Sequence, residues 1–288
     1  MLKTSTEIGS AANIIGEAKA IEYIAKAGFD AWDFSMFNMA EYDWALSRAN
    51  LKTGSPLSGA EAVKFAKELK KIGDDNGIYC NQSHAPFPSS CKEIRDLFKK
   101  AIELTAVAGG EFCVIHPDNN KTAAQNAEMY CELLPFAKQH NVKIAAENMW
   151  NRIDGRIVSA ACSDEIDFKR HLDAVNDEYL VACVDIGHAE MRGLNTSAEK
   201  MICYLGEKVK CLHIHDNDLS RDCHQIPFSM SIDFSAVVSA LKKIGYKGVL
   251  TLESDAYLAS AGYNDRPENI LEGIKKMHDL AEKIKNMF

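Results

Sequence analysis

Residues 180–188 read Leu-Val-Ala-Cys-Val-Asp-Ile-Gly-His. A short apolar run rich in β-branched residues and closed by a carboxylate is the signature of a strand. The same design recurs along the chain. Strand-like runs occupy 4–8, 31–35, 78–83, 112–116, 143–148, 180–185, 209–214 and 249–254. Between and after them lie stretches with apolar residues at helical spacing, at 16–28, 59–72, 91–108, 122–140, 164–175, 197–207, 234–244 and 268–287. Gly28, Gly73, Gly109 and Gly245 stand where helix C-terminal caps are expected. Strand alternating with helix implies a parallel sheet. Eight such units in 288 residues predict an α/β protein, a (β/α)8 TIM barrel forming a single domain over residues 1–288. No Pro-, Gly- or Ser-rich linker and no low-complexity tract divides the chain. The least patterned stretches are 37–56, 150–163 and 217–231, and loops of that length usually carry function.

Bulk properties narrow the function. The net charge of −8 disfavours partners with phosphate backbones, so no nucleic acid is expected. No apolar run approaches the length of a membrane span, and the N-terminus lacks the regions of a signal peptide. Nine cysteines without a CxxC pair read as reduced thiols, several inside apolar runs. A cytoplasmic protein is expected.

Six strand candidates end in a metal- or proton-handling residue: His84, His116, Glu147, Asp185, His213 and Glu253. In a parallel barrel all C-terminal strand ends meet at one mouth, so residues far apart in sequence converge there. Burying three carboxylates side by side is costly unless a cation neutralises them. Hard oxygen ligands with one imidazole suit manganese, cobalt, magnesium or zinc. His213 and His215 are two apart, so strand alternation puts both on one face and does not choose between them. His140, His171 and His278 fall on predicted helices and read as surface residues. Trp32 and Trp150 offer flat faces for a sugar or for packing. Arg152, Arg156, Arg192 and Arg221 follow strands and could meet a phosphate.

With these residues in view, the chain resembles the xylose-isomerase-like TIM barrel superfamily, which includes sugar phosphate isomerases and epimerases and, more distantly, endonuclease IV. The resemblance spans nearly the whole chain. It implies one divalent metal, manganese by preference, held by Glu147, Asp185, His213 and Glu253 from strands five to eight. It implies substrate contacts from His188, and the site is extended here to His84, His116, Asp222, His224 and Trp32. The family stretch His-x-x-Asp-Asn matches His213-Ile-His-Asp216-Asn217, which favours His213 over His215. A second family stretch, Asp-x-His-x-x-Pro-Gly-x-Gly-x-Ile-Asp, matches from Asp222 through His224 and Pro227 to Asp233, but Phe228 and Met230 replace the glycines. A different backbone path or a bulkier lining is therefore expected there. Ketose 3-epimerases usually carry arginine where His224 stands.

The implied activity is carbohydrate metabolism by proton transfer on a sugar, sugar phosphate or polyol. Glu147 and Glu253 act as the acid/base pair through a metal-stabilised enediolate. Isomerisation, epimerisation, and inosose-type dehydration or keto-glycoside cleavage share that first step. The rival class is a multi-zinc phosphodiesterase like endonuclease IV, whose ligand positions match His84, His116, Glu147, Asp185, His188, His213, Asp222, His224 and Glu253. A homo-oligomer paired through loops fits the resemblance.

Overall fold

The computed structural model describes residues 2–43 and 45–288. The parallel strands are β1 (Lys3–Glu7), β2 (Ala31–Ser35), β3 (Tyr79–His84), β4 (Phe112–Val114), β5 (Lys143–Glu147), β6 (Leu180–Asp185), β7 (Val209–His213) and β8 (Val249–Leu252). Each pairs with the next in chain order, and β8 returns to β1 with Thr6 opposite Leu252. The seam between β7 and β8 is thinner. There a single bridge joins Ile214 to Leu252, with Ile214 N donating to Thr251 O at 2.9 Å and Glu253 N to Ile214 O at 3.0 Å.

The outer helices are α1 (Glu17–Ala27), α2 (Ala62–Asp75), α3 (Phe98–Ala108), α4 (Ala123–His140), α5 (Glu165–Val175), α6 (Ala198–Leu205), α7 (Phe234–Lys243) and α8 (Ile270–Asn286). The molecule is a TIM barrel of one domain. Its strands fall within two residues of those read from the sequence. The helix expected over 91–108 is broken, with a short turn at Lys92–Arg95 before α3 begins. Two unpatterned stretches fold into hairpins, Ala40–Asp43 with Arg48–Leu51, and Trp150–Ile153 with Arg156–Ser159. Among the described residues, no helix is long and apolar enough to cross a membrane.

Strand alternation sorts the side chains. Ala145, Val181, Cys183 and Cys211 point into the barrel, where with Val114 they form a small apolar plug. Beside it runs a buried polar layer. Ser5 Oγ donates to Asn81 Oδ1 at 2.7 Å, Asn81 Nδ2 to Thr251 Oγ1 at 3.0 Å, and Gln82 Nε2 to Asp33 Oδ2 at 2.8 Å. A register shift against β2 lets Asn81 and Gln82 both join this layer.

Asp33 and Trp32 are consecutive, so only one can face inward. Asp33 does, and fully buried Trp32 packs outward against Phe34 and the α2 helix. The expected substrate contact by Trp32 is therefore corrected. Gly73 is likewise no cap. It lies inside α2, where a Cβ would come 2.9 Å from Trp32 Nε1. Gly28 and Gly109 do cap α1 and α3 in the left-handed region, at φ of 109° and 88°. His171 also departs from expectation. It is buried, its Nδ1–H donating to Asp167 O at 2.9 Å and Nε2 facing Asn126 Nδ2 at 3.2 Å.

Candidate metal centre and its cavity

The next inward position on β5 after Ala145 is Glu147, on β6 after Cys183 is Asp185, and on β7 after Cys211 is His213. Glu253 follows Thr251 just past β8. One ligand atom from each of Glu147, Asp185, His213 and Glu253 lies within 4.8 Å of the others, and all four residues are buried. His213 Nδ1 is 3.2 Å from Glu147 Oε2 and 3.2 Å from Glu253 Oε2. Its Nε2 points back to Asp33 Oδ2 at 3.6 Å. His215 belongs elsewhere, with Nε2 3.1 Å from Asp185 Oδ1 and its ring stacked on His224 at 4.0 Å.

The residues fit a cation on their own chemistry. Glu147 Oε2, Asp185 Oδ2 and His213 Nδ1 are buried and no hydrogen bond satisfies them, although they converge. Buried polar atoms are rarely left so. Burial works against the charged forms here, yet His213 and His116 hold the Glu147 carboxyl well below its ordinary value. Burial, with Glu147 adding to it, lifts Glu253 well above the glutamate range. Burial opposes an imidazolium at His213, but Cys183, Glu253 and Glu147 together outweigh it and raise that group well above 6.5. Imidazolium protons thus balance the carboxylates, and a divalent cation is the alternative counter-charge.

Two histidine groups flank this centre. His84 and His116 approach Glu147 Oε2, at 3.5 and 3.2 Å, and their Nε2 atoms lie 3.0 Å apart. On the other side His188, His215, Asp222 and His224 bring ligand atoms within 4.8 Å of one another. His188 Nε2 and His224 Nε2 reach the two Asp222 oxygens at 3.0 and 3.1 Å. Burial opposes the His188 cation, but Asp185 and Asp222 raise it to about 10. Backbone carbonyls orient three of these rings. The Nδ1–H groups of His84, His188 and His224 donate to Ala85 O, Asn148 O and Glu253 O, each at 2.9 Å, which leaves every Nε2 facing the cavity.

Above the centre opens a cavity of about 430 Å³. Glu147, Glu253, His84, His116, His188, Asp222 and His224 line it, with Phe37, Phe87, Met149 and Trp150 as apolar walls. Phe37 stands edge-on to His84, their rings 4.7 Å apart. Trp150, unlike Trp32, lines the cavity, its Nε1 donating to Asp222 Oδ2 at 3.3 Å. None of Arg152, Arg156, Arg192 and Arg221 lines the cavity. Arg221 instead pairs with Asp218 at 2.6 Å.

The loop after β7 is organised by the Asp216-Asn217 pair. Asp216 accepts from the backbone N–H of Met230 at 2.8 Å, Ser231 at 3.1 Å and Ile232 at 3.0 Å. Asn217 Nδ2 donates to Gly187 O at 2.9 Å. Phe228 adopts a left-handed φ of 64°, which glycine reaches without cost. Of the two outcomes expected here, the bulkier lining is corrected at this residue. The chain keeps a glycine-like conformation, and the ring packs on Phe234 rather than lining the cavity. Sequence reasoning passed over Asp33, Asn148, Glu7 and Asp255. Glu7 and Asp255 carry the strand-end signal that identified the others, and Asn148 follows Glu147 directly.

Residues 21–280 match the xylose isomerase-like TIM barrel family. The chain belongs to that family. Among its relatives is the uncharacterized protein MJ1311 of Methanocaldococcus jannaschii, 27% identical over 272 residues, covering 91% of this chain and 83% of the relative. Two solved structures share the xylose isomerase-like fold. One is the IolI protein with a bound zinc atom, with a TM-score of 0.71, 17% identity, and 98% of this chain and 99% of that one covered. The other is D-allulose 3-epimerase from Methylomonas sp. in complex with D-allulose, with a TM-score of 0.67, 16% identity, and 100% and 98% covered.

Proposed function

We propose that this chain is a divalent-metal-dependent isomerase or epimerase of a sugar or polyol, working in the cytoplasm. Glu147, Asp185, His213 and Glu253 hold the ion, with manganese the ion of choice. The observation that carries the reading is the convergence of Glu147 Oε2 and Glu253 Oε2 on His213 Nδ1, each at 3.2 Å, at the floor of the cavity. The bound zinc of the IolI structure and the D-allulose of the epimerase complex support it by likeness.

Glu147, Asp185, His213 and Glu253 would hold the cation, which when bound would supply polarisation of a substrate carbonyl and its neighbouring hydroxyl. Glu147 and Glu253 both line the cavity in which a substrate would lie. One of the two takes the proton from the carbon beside the carbonyl, and the other delivers one. Delivery to the adjacent carbon isomerises, and delivery to the opposite face of the same carbon epimerises. His188, Asp222 and His224 orient hydroxyls, and the aromatic walls keep water from the exchanging proton.

Ketoses incubated with the enzyme in heavy water test this. Deuterium is expected at the carbon beside the carbonyl, lost on dialysis against chelator and restored by manganese. Glu147→Gln and Glu253→Gln should each lower exchange about 100-fold or more. Absence of exchange with any ketose or inosose removes the reading. A second reading, a multi-metal phosphodiesterase, is favoured by one observation: the separate cluster of His188, His215, Asp222 and His224. Elemental mass spectrometry separates the two, since one ion per chain fits the first and several tightly held zinc ions the second.

A further inference from the structure

A second, smaller cavity of about 100 Å³ adjoins the first, and Phe37 and Asp255 line both. Its floor is Glu7, the last residue of β1 and only 4% exposed. Ser10, through its hydroxyl and its N–H at 2.9 Å, and Ser35 Oγ at 3.4 Å fix the Glu7 carboxyl. Gly9 is packed over it, since a Cβ there would come 3.2 Å from Glu7 Oε2. Asn13 and Asn38 complete the rim, Asn38 Nδ2 donating to Asn13 Oδ1 at 3.4 Å. Lys52 Nζ is engaged by Asn38 Oδ1 at 2.7 Å and does not line the cavity.

We infer that this annex is a specificity subsite that receives the distal hydroxyl end of an unphosphorylated sugar, with Glu7 as the acceptor at its floor. The inference rests on the proposed sugar chemistry and names the substrate class. Among the described residues, no lysine or arginine lines either cavity. A phosphate dianion at that end would face Glu7 and Asp255 without a partner, and an unpaired charge is expensive to desolvate. Hydroxyls, in contrast, can donate to the carboxyl and pair with both amides. A water-sized group takes roughly 30 Å³, so the annex of about 100 Å³ accommodates about three such groups, a terminal hydroxymethyl and the carbon before it.

Calorimetric titration of the manganese-loaded protein with D-fructose, D-fructose 6-phosphate and D-erythrulose tests this. The wild type should bind the six-carbon ketose at least about 10-fold more tightly than its phosphate or the four-carbon ketose, a loss that corresponds to about 1.4 kcal/mol. Glu7→Gln should reduce the six- over four-carbon preference about 10-fold. Asn13→Leu, which fills the annex from its exposed rim and leaves the buried network untouched, should do the same. A 6-phosphate that binds as tightly as fructose, a preference that survives both substitutions, or no binding of any probe overturns the subsite. Binding is read without turnover. The preference without deuterium exchange sinks only the proposed reaction, and exchange without the preference sinks only the annex.

Discussion

Asp33 lies behind the His213 ring, on the side away from Glu147 and Glu253. It is buried, anchored by Gln82 at 2.8 Å, and stands 3.6 Å behind His213 Nε2. A carboxylate behind a ligating imidazole fixes the ring and raises its basicity. Asp33→Asn should therefore weaken manganese binding about 10- to 100-fold in chelator competition, with an intact far-ultraviolet spectrum. Unchanged affinity would make Asp33 a packing residue. Glu7 supplies a second test. Burial, with Asp255 adding to it, raises its carboxyl from 4.5 to about 7. The unfolded chain releases that proton first as pH rises, so the native state binds more protons between 4.5 and about 7. Stability present below 4.5 is thus lost across that window, by about 3 kcal/mol at most. The melting temperature of Glu7→Gln should fall less than that of the wild type between pH 4.5 and 8, and parallel curves would contradict it. At this scale the sequence was only partly readable. Strand ends announce Glu147, Asp185, His213 and Glu253 because position in a strand is local information. The facing of Trp32 depends on the phase of β2, which its neighbour Asp33 betrays only once a polar interior is known.

The loop from β7 to α7 shows an element holding its shape against its own side chains. Asp216 gathers three N–H groups, and Phe228 accepts a left-handed backbone that costs a non-glycine residue about 1 kcal/mol or more. Its ring is compensated by Phe234, with centroids 4.9 Å apart, and by Lys283 Nζ, 3.9 Å above the ring. Removing the ring without freeing the backbone should hurt most. Phe228→Ala is expected to lower the melting temperature more than Phe228→Gly, the reverse of the usual ranking, and thermal scans of both variants check the order. The hairpin strands at 40–43, 48–51, 150–153 and 156–159 were invisible because each is only four residues long, too short to show a period. They are shaped by turns and by contacts across the mouth, such as Asn119 Nδ2 with Trp150 O at 3.2 Å.

Across the molecule, the eightfold alternation was legible because a barrel repeats one local pattern, and each repeat confirms the last. What escaped was whatever depends on how strands meet. The two histidine groups are told apart only in space: His213 and His215 are neighbours in sequence, yet they serve different clusters. The β7–β8 seam has a further consequence. It is closed by one bridge and two backbone hydrogen bonds, and His213 and Glu253 stand on its opposite lips. Thin seams open first in native-state fluctuations, and a ligand that binds only the closed form suppresses such opening. Amide hydrogen exchange at Ile214 and Glu253 should accordingly outpace that at the paired amides of β5 and β6 in metal-free protein, and slow when manganese is added. An ion that links both lips would act as a rivet, so the element on which the chemistry depends would also decide how often the barrel breathes.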